Sequence, residues 1–427
     1  VEGLMAFFLE ATFVGLFFFG WDRLSKRAHL IVAWLVAIGS NFSALWILIA
    51  NGWMQNPVGA AFNPLTMRME MTSFFEVVFN EVAQAKFVHT VSAGYVSAWY
   101  LLKGRHVELA RRSIAVAASF GLASALSVVV LGDESGYSVT LSQKMKLAAI
   151  EGMWETQPAP ASFTLVGFPD QQARETHYAI HVPYVMGLIG TRSLTREIPG
   201  IADLVKQADA RIRSGIIAYD ALMVYRANKG KVSSDVAATF EEHSKDLGFA
   251  LLLKRYVDDP RQATDAQITQ AANDTVPTVW PLFWAFRIMV VLGFSFIALM
   301  VWFFFMSSFR NMRFPRIALR LAVILIPAPW IAAELGWFVA EFGRQPWTVD
   351  GVLPTALSAS TLSVTDLAIT LAGFVLFYSV LFVIEMGLML KYIRKGPYID
   401  VPETDRWQSN HRDRLTAPSP FGHQPAE

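Results

Sequence analysis

The sequence contains no cysteine and few charged residues. The absence of cysteine among its 427 residues excludes disulfides, thiolate metal sites and cysteine nucleophiles. Charged residues make up only 17% of the chain, 54% of it is apolar, and the mean hydropathy is +0.38. A soluble protein of this length would need a more polar surface. The formal net charge of +1 gives no indication of a nucleic-acid partner.

Long apolar runs are what the sequence has instead. Several reach about 20 residues, the length that crosses a lipid bilayer. We therefore predict an all-α polytopic membrane protein with seven transmembrane helices. They cover residues 1–20, 30–49, 82–102, 113–131, 279–305, 317–340 and 367–390. Pro327 and Pro329 predict a kink in the sixth of these helices.

A long polar segment divides the spans into two groups. The transmembrane helices of residues 1–131 and 279–395 flank residues 132–278, which are too many for a simple connection. We interpret this segment as a large extracytoplasmic loop domain. Residues 396–427 form a tail that we expect to be disordered. The chain opens on Val-Glu-Gly inside an apolar run, so we expect its natural N-terminus to lie upstream.

Lysine and arginine predict the orientation of the spans. They are concentrated after the first, third, fifth and seventh spans, whereas the alternate short connections contain only Arg68 and Arg344. The positive-inside rule places the basic connections in the cytoplasm. The large loop then faces outward and the C-terminal tail faces inward.

Two possible haem ligands lie at related depths in the predicted membrane. His89 lies about two turns, and Met289 about three turns, inside the outer face. A histidine and a methionine together make haem iron six-coordinate and low-spin, which suits electron transfer. The alternatives are a histidine bonded to a neighbouring helix and a methionine that only packs. Arg287 is either a partner for a haem propionate or a member of a salt bridge.

Carboxylates gather toward the same leaflet. Glu2 and Glu10 share a broad face of the first span, and Glu334 and Glu341 lie two turns apart on the sixth. Ionisable residues in a membrane are costly and are functional candidates. Glu341 is a candidate ligand of haem iron or, with Glu334, a proton relay; the alternative is pairing with Arg344.

Other residues have a plainer interpretation. Trp337, one turn before Glu341, packs either between macrocycles or simply in the bundle. His177 and His181 have the H-x-x-x-H spacing but lack the glutamate of a zincin, so we interpret them as surface residues.

Eight stretches together closely resemble subunit I of the cytochrome bd quinol oxidases, in a branch with a long quinol loop. Single motifs such as FRIM are weak, but eight in the same order are specific, and they cover the chain up to about Lys395. The stretches are EGLMAFFLEATFVGLFFFGWDR (2–23), ANGWMQNP (50–57), KFVHT (86–90), LGDESGY (131–137), KLAAIEGMWETQPAP (146–160), FRIM (286–289), GWFVAE (336–341) and GRQPW (343–347).

The resemblance implies a terminal oxidase that oxidises quinol and reduces O2 to water, using a low-spin haem b, a high-spin haem b and haem d. It implies nine spans in the full family member, a second membrane subunit and, in some members, small single-span subunits. Residue roles follow from matching positions. The resemblance implies that His89 and Met289 are the ligands of the low-spin haem, with Arg287 beside it, and that Glu341 is the ligand of the high-spin haem b. It implies that Glu2 lies beside the oxygen-reacting haem, Glu10 on the proton path and Trp337 among the haems. It implies that Lys146 and Glu151 are the quinol-binding pair.

The sequence departs from the family pattern at two places. The two spans that precede this region in the family, with a histidine ligand of a high-spin haem, are not in the sequence. The third span passes directly from HTVSAGYV to SAWYLLKGR, where family members have several more residues. His89 precedes this junction.

Two other functional classes fit parts of the pattern. A secondary transporter explains buried acids and a kinked helix but predicts an internal repeat, which the sequence does not show. A non-catalytic membrane scaffold gives no reason for acids, histidine and methionine to share a leaflet. Ubiquinol and menaquinol remain alternative substrates of the oxidase.

Overall fold

A computed structural model describes residues 8–20, 23–78, 107–228, 230–308 and 314–395. Glu2, His89, the predicted third span and the tail from residue 396 lie outside the described residues. The chain divides into two compact units, residues 1–359 and 360–427.

Helices dominate the part of the chain that the structure describes. They are α1 (Phe8–Phe19), α2 (Lys26–Gln55), α3 (Phe74–Val78), α4 (Val107–Ser142), α5 (Lys144–Glu151), α6 (Ile201–Ala227), α7 (Ser234–His243), α8 (Leu247–Leu251), α9 (Asp265–Asn273), α10 (Val279–Ser308), α11 (Arg316–Ile324), α12 (Ala328–Phe342) and α13 (Val364–Lys395).

Three antiparallel hairpins lie in the connecting segments. Their strands are β1 (Ala60–Asn63) with β2 (Arg68–Met71), β3 (Phe163–Asp170) with β4 (Glu175–Val182), and β5 (Trp347–Val349) with β6 (Leu353–Pro354). The all-α prediction is therefore correct for the long helices and needs correction for the connections. Short hairpins lack a long hydrophobic period, so the polar sequence around them does not reveal them.

Three helices in the described part are long and apolar enough to cross a bilayer. They are Ala110–Ser142, Val279–Ser308 and Val364–Lys391, and the bent pair α11 and α12 adds a fourth if it is one span. These correspond to predicted spans four, five, seven and six. Predicted spans one and two overlap α1 and α2. The total of seven remains a prediction, because the third predicted span is not among the described residues.

The sixth predicted span is broken where the sequence places its prolines. Helix α11 ends at Ile324, α12 begins at Ala328, and their axes differ by 44°. Pro327 precedes α12 and Pro329 lies in its first turn, where the missing N–H removes no helical hydrogen bond. The predicted kink is confirmed.

The apolar core of the bundle forms where α10 packs against α4 and α11. Phe296, Met300 and Phe303 of α10 are buried against Ile114 of α4 and residues of α11. Helix α4 extends to Ser142, well beyond the predicted end of the span at Leu131. A polar stretch can continue a helix outside the apolar layer, so hydropathy marks the end of the span and not of the helix.

In the segment between α4 and α10, three shorter helices pack around the long helix α6. Ile212 and Ala218 of α6 are buried in two apolar clusters formed with helices α7, α8 and α9. The β3–β4 hairpin contacts α10 through Phe168, whose ring centroid is 5.8 Å from that of Trp284. This packing brings α5 and the hairpin beside the first turns of α10.

Candidate functional site

Helix α5 carries two charged residues in an almost completely buried position. Its last six residues, including Lys146 and Glu151, are all buried. Gly152 ends the helix with a φ of 61°, a conformation that favours glycine, and its amide donates to the carbonyls of Ala148 and Ala149. Charged side chains are rarely buried unless they are paired, so the partners of the two residues define the site.

Glu151 is paired with Arg287 of α10. Its Oε2 accepts hydrogen bonds from the Thr164 amide at 3.2 Å and from Arg287 Nη2 at 3.4 Å. The two side chains are 2% and 6% exposed. This buried ion pair therefore joins the beginning of the loop to a transmembrane helix.

All five N–H groups of Arg287 donate to protein acceptors. Besides Glu151, the acceptors are the carbonyl oxygens of Ile150, Phe283, Thr164 and Leu165. A guanidinium has five donors in all. The arrangement is the salt bridge that the sequence left open as an alternative, and a bond to a haem propionate would have to replace one of these contacts.

Burial raises the pKa of Glu151 to about 7, and the positive charge of Arg287 and the hydrogen bond from Thr164 oppose this shift. A carboxyl group with a pKa near neutral exchanges its proton at physiological pH, as a general base must.

Lys146 points away from the Arg287 pair. Its Nζ donates to Gln143 Oε1 at 2.6 Å and to Gln55 Oε1 at 3.1 Å. Gln143 Nε2 also donates to the Gln55 carbonyl oxygen at 2.9 Å. Burial lowers the pKa of Lys146 to about 8, and the nearby charge of Asp350 opposes this shift.

The hydrogen bonds continue from Gln55 to Glu341. Gln55 Nε2 donates to Asn51 Oδ1 at 2.7 Å, and Asn51 Nδ2 donates to Glu341 Oε1 at 2.7 Å. Arg344 Nη2 donates to the other carboxylate oxygen of Glu341. The predicted contact between Glu341 and Arg344 is therefore present, and Glu341 is in addition connected to the loop.

A cavity of about 290 Å³ adjoins this network. Its polar lining includes Gln143, Lys146, Arg211, Arg344 and Asp350. Burial raises the pKa of Asp350 to about 6, against the positive charges of Lys146, Arg211 and Arg344. Within the described part of the chain, Nε and Nη1 of Arg344 are buried and have no hydrogen-bond acceptor. The cavity can therefore hold a group that carries acceptor oxygens.

Met289 faces α12. A Cβ added to Gly336 would lie 3.0 Å from Met289 Sδ. The Met289 side chain is half-buried, and Trp337, the next residue on α12, is 41% exposed. The glycine thus leaves room for the thioether between the two helices.

The structure places the remaining predicted residues as follows. Glu334 is exposed, as are His177 and His181, which agrees with their interpretation as surface residues. Glu10 lies on α1, but its side chain is outside the described residues. Among the described residues, no group of three or more metal-binding side chains is present.

Four residues of this site were not assigned a role from the sequence. They are Asn51, Gln55, Gln143 and Asp350. Asn51 and Gln55 lie four residues apart, on one helix face, where an apolar span ends, and this polar pair was the available signal. Their partners are 290 and 91 residues away in the chain, so periodicity could not identify the contacts.

Residues 1–397 match the sequence model of the cytochrome bd terminal oxidase subunit I family. A cytochrome bd-II ubiquinol oxidase subunit 1 from Escherichia coli (strain K12) is 46% identical over 407 residues, which are 93% of this chain and 79% of that protein. A cytochrome bd ubiquinol oxidase subunit 1 from Bacillus subtilis (strain 168) is 29% identical, over 99% of this chain and 78% of the relative.

The fold agrees with a solved bd oxidase from Geobacillus thermodenitrificans. The TM-score is 0.65 at 22% identity, and the match covers 92% of this chain and 76% of the other. Family match, sequence identity and fold lead to the same assignment: the chain belongs to the cytochrome bd terminal oxidase subunit I family, whose role is that of a respiratory oxidase.

Proposed function

We propose that this chain is the haem-carrying subunit of a terminal oxidase that oxidises quinol at the outer face of a bacterial inner membrane and reduces O2 to water. The observation that carries the proposal is helix α5, on which Lys146 is buried and hydrogen-bonded to Gln55 of α2, and Glu151 is buried and ion-paired with Arg287 of α10. The relatives named as ubiquinol oxidases support quinol as the substrate class.

Lys146 and Glu151 have complementary tasks in quinol oxidation. The quinol ring must lose two protons and two electrons, so two quinols supply the four electrons that convert one O2 and four protons into two waters. The Lys146 ammonium borders the cavity and stabilises negative charge on a quinol oxygen as its proton leaves. Glu151, whose pKa burial raises to about 7, accepts a proton and releases it outward.

The two residues do not share one pocket. They are five positions apart on a helix, which is a rotation of about 140°. Lys146 borders the cavity, whereas Glu151 faces Arg287. We infer that a proton reaches Glu151 by way of the substrate or water at the end of α5.

The described residues fit haem at the positions that the sequence assigns. Met289 offers a half-buried thioether beside Gly336, and Glu341 offers a carboxylate whose two oxygens each accept one hydrogen bond. The Nε and Nη1 groups of Arg344 are buried without an acceptor among the described residues, and a propionate would satisfy them. When bound, haem would supply one-electron transfer and the binding of O2.

The individual haem assignments belong to this proposal. Met289 and His89 would hold a low-spin haem b, with Arg287 near it, and Glu341 would hold a high-spin haem b. Glu2 would lie beside haem d, Glu10 would lie on the proton path to it, and Trp337 would pack among the haems.

The topology proposed from the basic connections puts the long loop in the periplasm and the C-terminus in the cytoplasm. Protons from quinol are then released outside, and protons for water are taken from inside. This arrangement builds a proton gradient without a pump. The proposed partners are a second membrane subunit and small single-span subunits in the lipid bilayer.

The proposed function is tested first by the reduced-minus-oxidised absorption spectrum of the purified complex, together with quinol-dependent oxygen uptake. We expect bands of both b-type haems and a chlorin band in the red. Absence of the chlorin band would remove haem d, and a complex without any haem band would remove the oxidase.

Lys146→Ala tests the quinol site separately from the haems. We expect slower quinol oxidation at unchanged haem content and an unchanged low-spin haem spectrum, because Lys146 contacts the amides of Gln55 and Gln143 and not a proposed axial ligand. Lys245→Ala changes an exposed lysine that is not part of the cavity lining and is the matched control. Loss of haem from Lys146→Ala would assign this lysine a structural role instead.

A further inference from the structure

A continuous chain of side-chain hydrogen bonds joins the proposed quinol-binding lysine to the proposed haem ligand. It runs from Lys146 Nζ to Gln55 Oε1 at 3.1 Å, from Gln55 Nε2 to Asn51 Oδ1 at 2.7 Å, and from Asn51 Nδ2 to Glu341 Oε1 at 2.7 Å. Only two side chains, one helical turn apart at the end of α2, separate the ammonium from the carboxylate. Lys146 and Gln55 are 3% and 5% exposed.

The two ends of this chain fix the direction of every bond in it. An ammonium can only donate, so Gln55 must present its carbonyl oxygen to Lys146 and its NH2 group to Asn51. A carboxylate can only accept, so Asn51 must present its NH2 group to Glu341 and its carbonyl oxygen to Gln55. Both requirements give the same orientation of the two amides. Rotation of either amide would place two donors or two acceptors against each other.

The side chains in this series of hydrogen bonds indicate what the series transmits. Carboxamides do not titrate in the physiological range, so Asn51 and Gln55 are not proton carriers of the usual kind. Aligned amides in a buried site polarise one another and hold their end groups in place. The strength of the bond that Glu341 accepts therefore depends on how firmly Gln55 is held by Lys146.

We propose that Asn51 and Gln55 are positioning residues that couple occupancy of the quinol site to the ligand strength of Glu341. The inference rests on the proposed function. When a quinol or quinone oxygen accepts a hydrogen bond from Lys146, the ammonium is shared, Gln55 is held less firmly, and the bond from Asn51 to Glu341 changes. The haem at Glu341 thus responds to substrate bound at α5.

The test uses the purified oxidised complex and oxidised decylubiquinone, or a short-chain menaquinone where that is the quinone that turns over. No electrons move in this mixture, so the absorption of the high-spin haem reports only its surroundings. In the wild-type complex we expect a saturable spectral shift on titration with the quinone. In Gln55→Leu and Asn51→Leu we expect the shift to be lost.

A second variant and a control separate coupling from damage. Gln55→Glu keeps an acceptor for Lys146 but removes the donor to Asn51, so quinol should still bind while the spectral shift disappears. Gln270→Leu changes an exposed glutamine of α9 that is not part of the cavity lining, and it should keep both binding and shift. In Gln55→Leu, KM for quinol should rise about tenfold or more, as expected for loss of a hydrogen bond to a charged group.

The inference fails if the wild-type complex shows no shift, or if Gln55→Glu and Asn51→Leu show the full wild-type shift. Failure of the proposed function looks different, because a wild-type complex without haem bands or quinol oxidation would fail before any variant is compared.

Discussion

At the scale of single residues, burial decides which side chains of this chain can carry chemistry. Glu151 is almost completely buried beside Arg287, whereas Glu155, four residues later, is exposed. Removing water disfavours the charged form of a carboxyl group, and one cation does not fully compensate for that loss. The same residue type therefore has a different protonation behaviour at the two positions.

The raised pKa of Glu151 predicts a pH dependence of quinol oxidation. With a pKa of about 7, the group is largely protonated below neutral pH and cannot accept a proton from quinol. We expect kcat/KM for quinol to rise with pH up to about 7 and to fall again above about pH 8, where Lys146, whose pKa burial lowers to about 8, loses its charge. In Glu151→Gln the rise below pH 7 should disappear and the rate should be low throughout.

The test measures oxygen uptake between about pH 5.5 and 8.5. Glu155→Gln is the control, and it should keep the rise of activity with pH. If quinol oxidation in Glu151→Gln rises with pH as it does in the wild type, another residue is the base.

The raised pKa of Glu151 has the opposite effect on folding stability, which falls over the pH range where activity rises. Since the folded-state pKa of Glu151 exceeds its ordinary value of 4.5, the folded chain holds the proton more tightly, and its stability falls as pH rises from about 4.5 to 7.

Arg287 makes a second prediction at this scale. Arg287→Ala removes the counter-charge of the Glu151 carboxylate and a donor to several loop carbonyls. Removing one partner of a buried ion pair costs about 3–5 kcal/mol. We expect a loss of this order in the free energy of unfolding, together with faster proteolysis between α5 and β3.

Arg213→Ala is the matched control, because its ion pairs with Asp209 and Asp265 are exposed at the surface. Such pairs contribute about 0–1 kcal/mol. Equal effects of the two variants would contradict the role assigned to the Arg287 contacts.

At the scale of elements, close approach of α10 and α12 determines where Met289 can lie. The sulfur occupies space that a side chain at Gly336 would enter. Gly293, one turn beyond Met289 on α10, has no atom of the described residues within 4 Å of the position of an added Cβ. The two glycines therefore provide a matched pair.

We predict that Gly336→Ala displaces Met289 and lowers the midpoint potential or the amount of the low-spin haem, because a methionine ligand raises the potential of haem iron. Redox titration of the alpha band gives the measurement. Gly293→Ala should behave as the wild type does. A low-spin haem unchanged by Gly336→Ala would argue against Met289 as its ligand.

The elements also indicate how far sequence can predict this chain. The kink after Ile324 and the spans that overlap α4, α10 and α13 follow from hydropathy and from proline, which act locally. The β3–β4 hairpin does not, because short strands lack a long hydrophobic period. The polar network does not, because its contacts join residues up to 290 positions apart. Lys146, Glu151 and Glu341 were assigned through family motifs, whereas Asn51 and Gln55 became recognisable only when α2, α5 and α12 were brought together.

At the scale of the whole molecule, the proposed orientation fixes how charge moves across the membrane. Under the proposed function, quinol is oxidised beside the outer loop and protons for water come from the inside. We predict that the complex in sealed vesicles releases one proton outside for each electron passed to O2. An oxygen pulse given to proteoliposomes with a pH-sensitive dye measures this ratio.

A proton leak through the vesicles is controlled by addition of an uncoupler, which must abolish the signal. A ratio clearly above one proton per electron would require a pump and would contradict the proposed mechanism. A ratio of zero would place quinol oxidation on the side from which protons are consumed.

The five contacts of Arg287 restrict how substrate exchange can occur. Ile150, Glu151, Thr164 and Leu165 are all held by one cation at the beginning of α10. If this part of the loop opened as a lid, it would leave an unpaired guanidinium and carboxylate at the edge of the lipid, a large energetic penalty for every turnover. Under the proposed function, the base of the loop is therefore a fixed wall, and the gate for quinol and quinone is built from other residues.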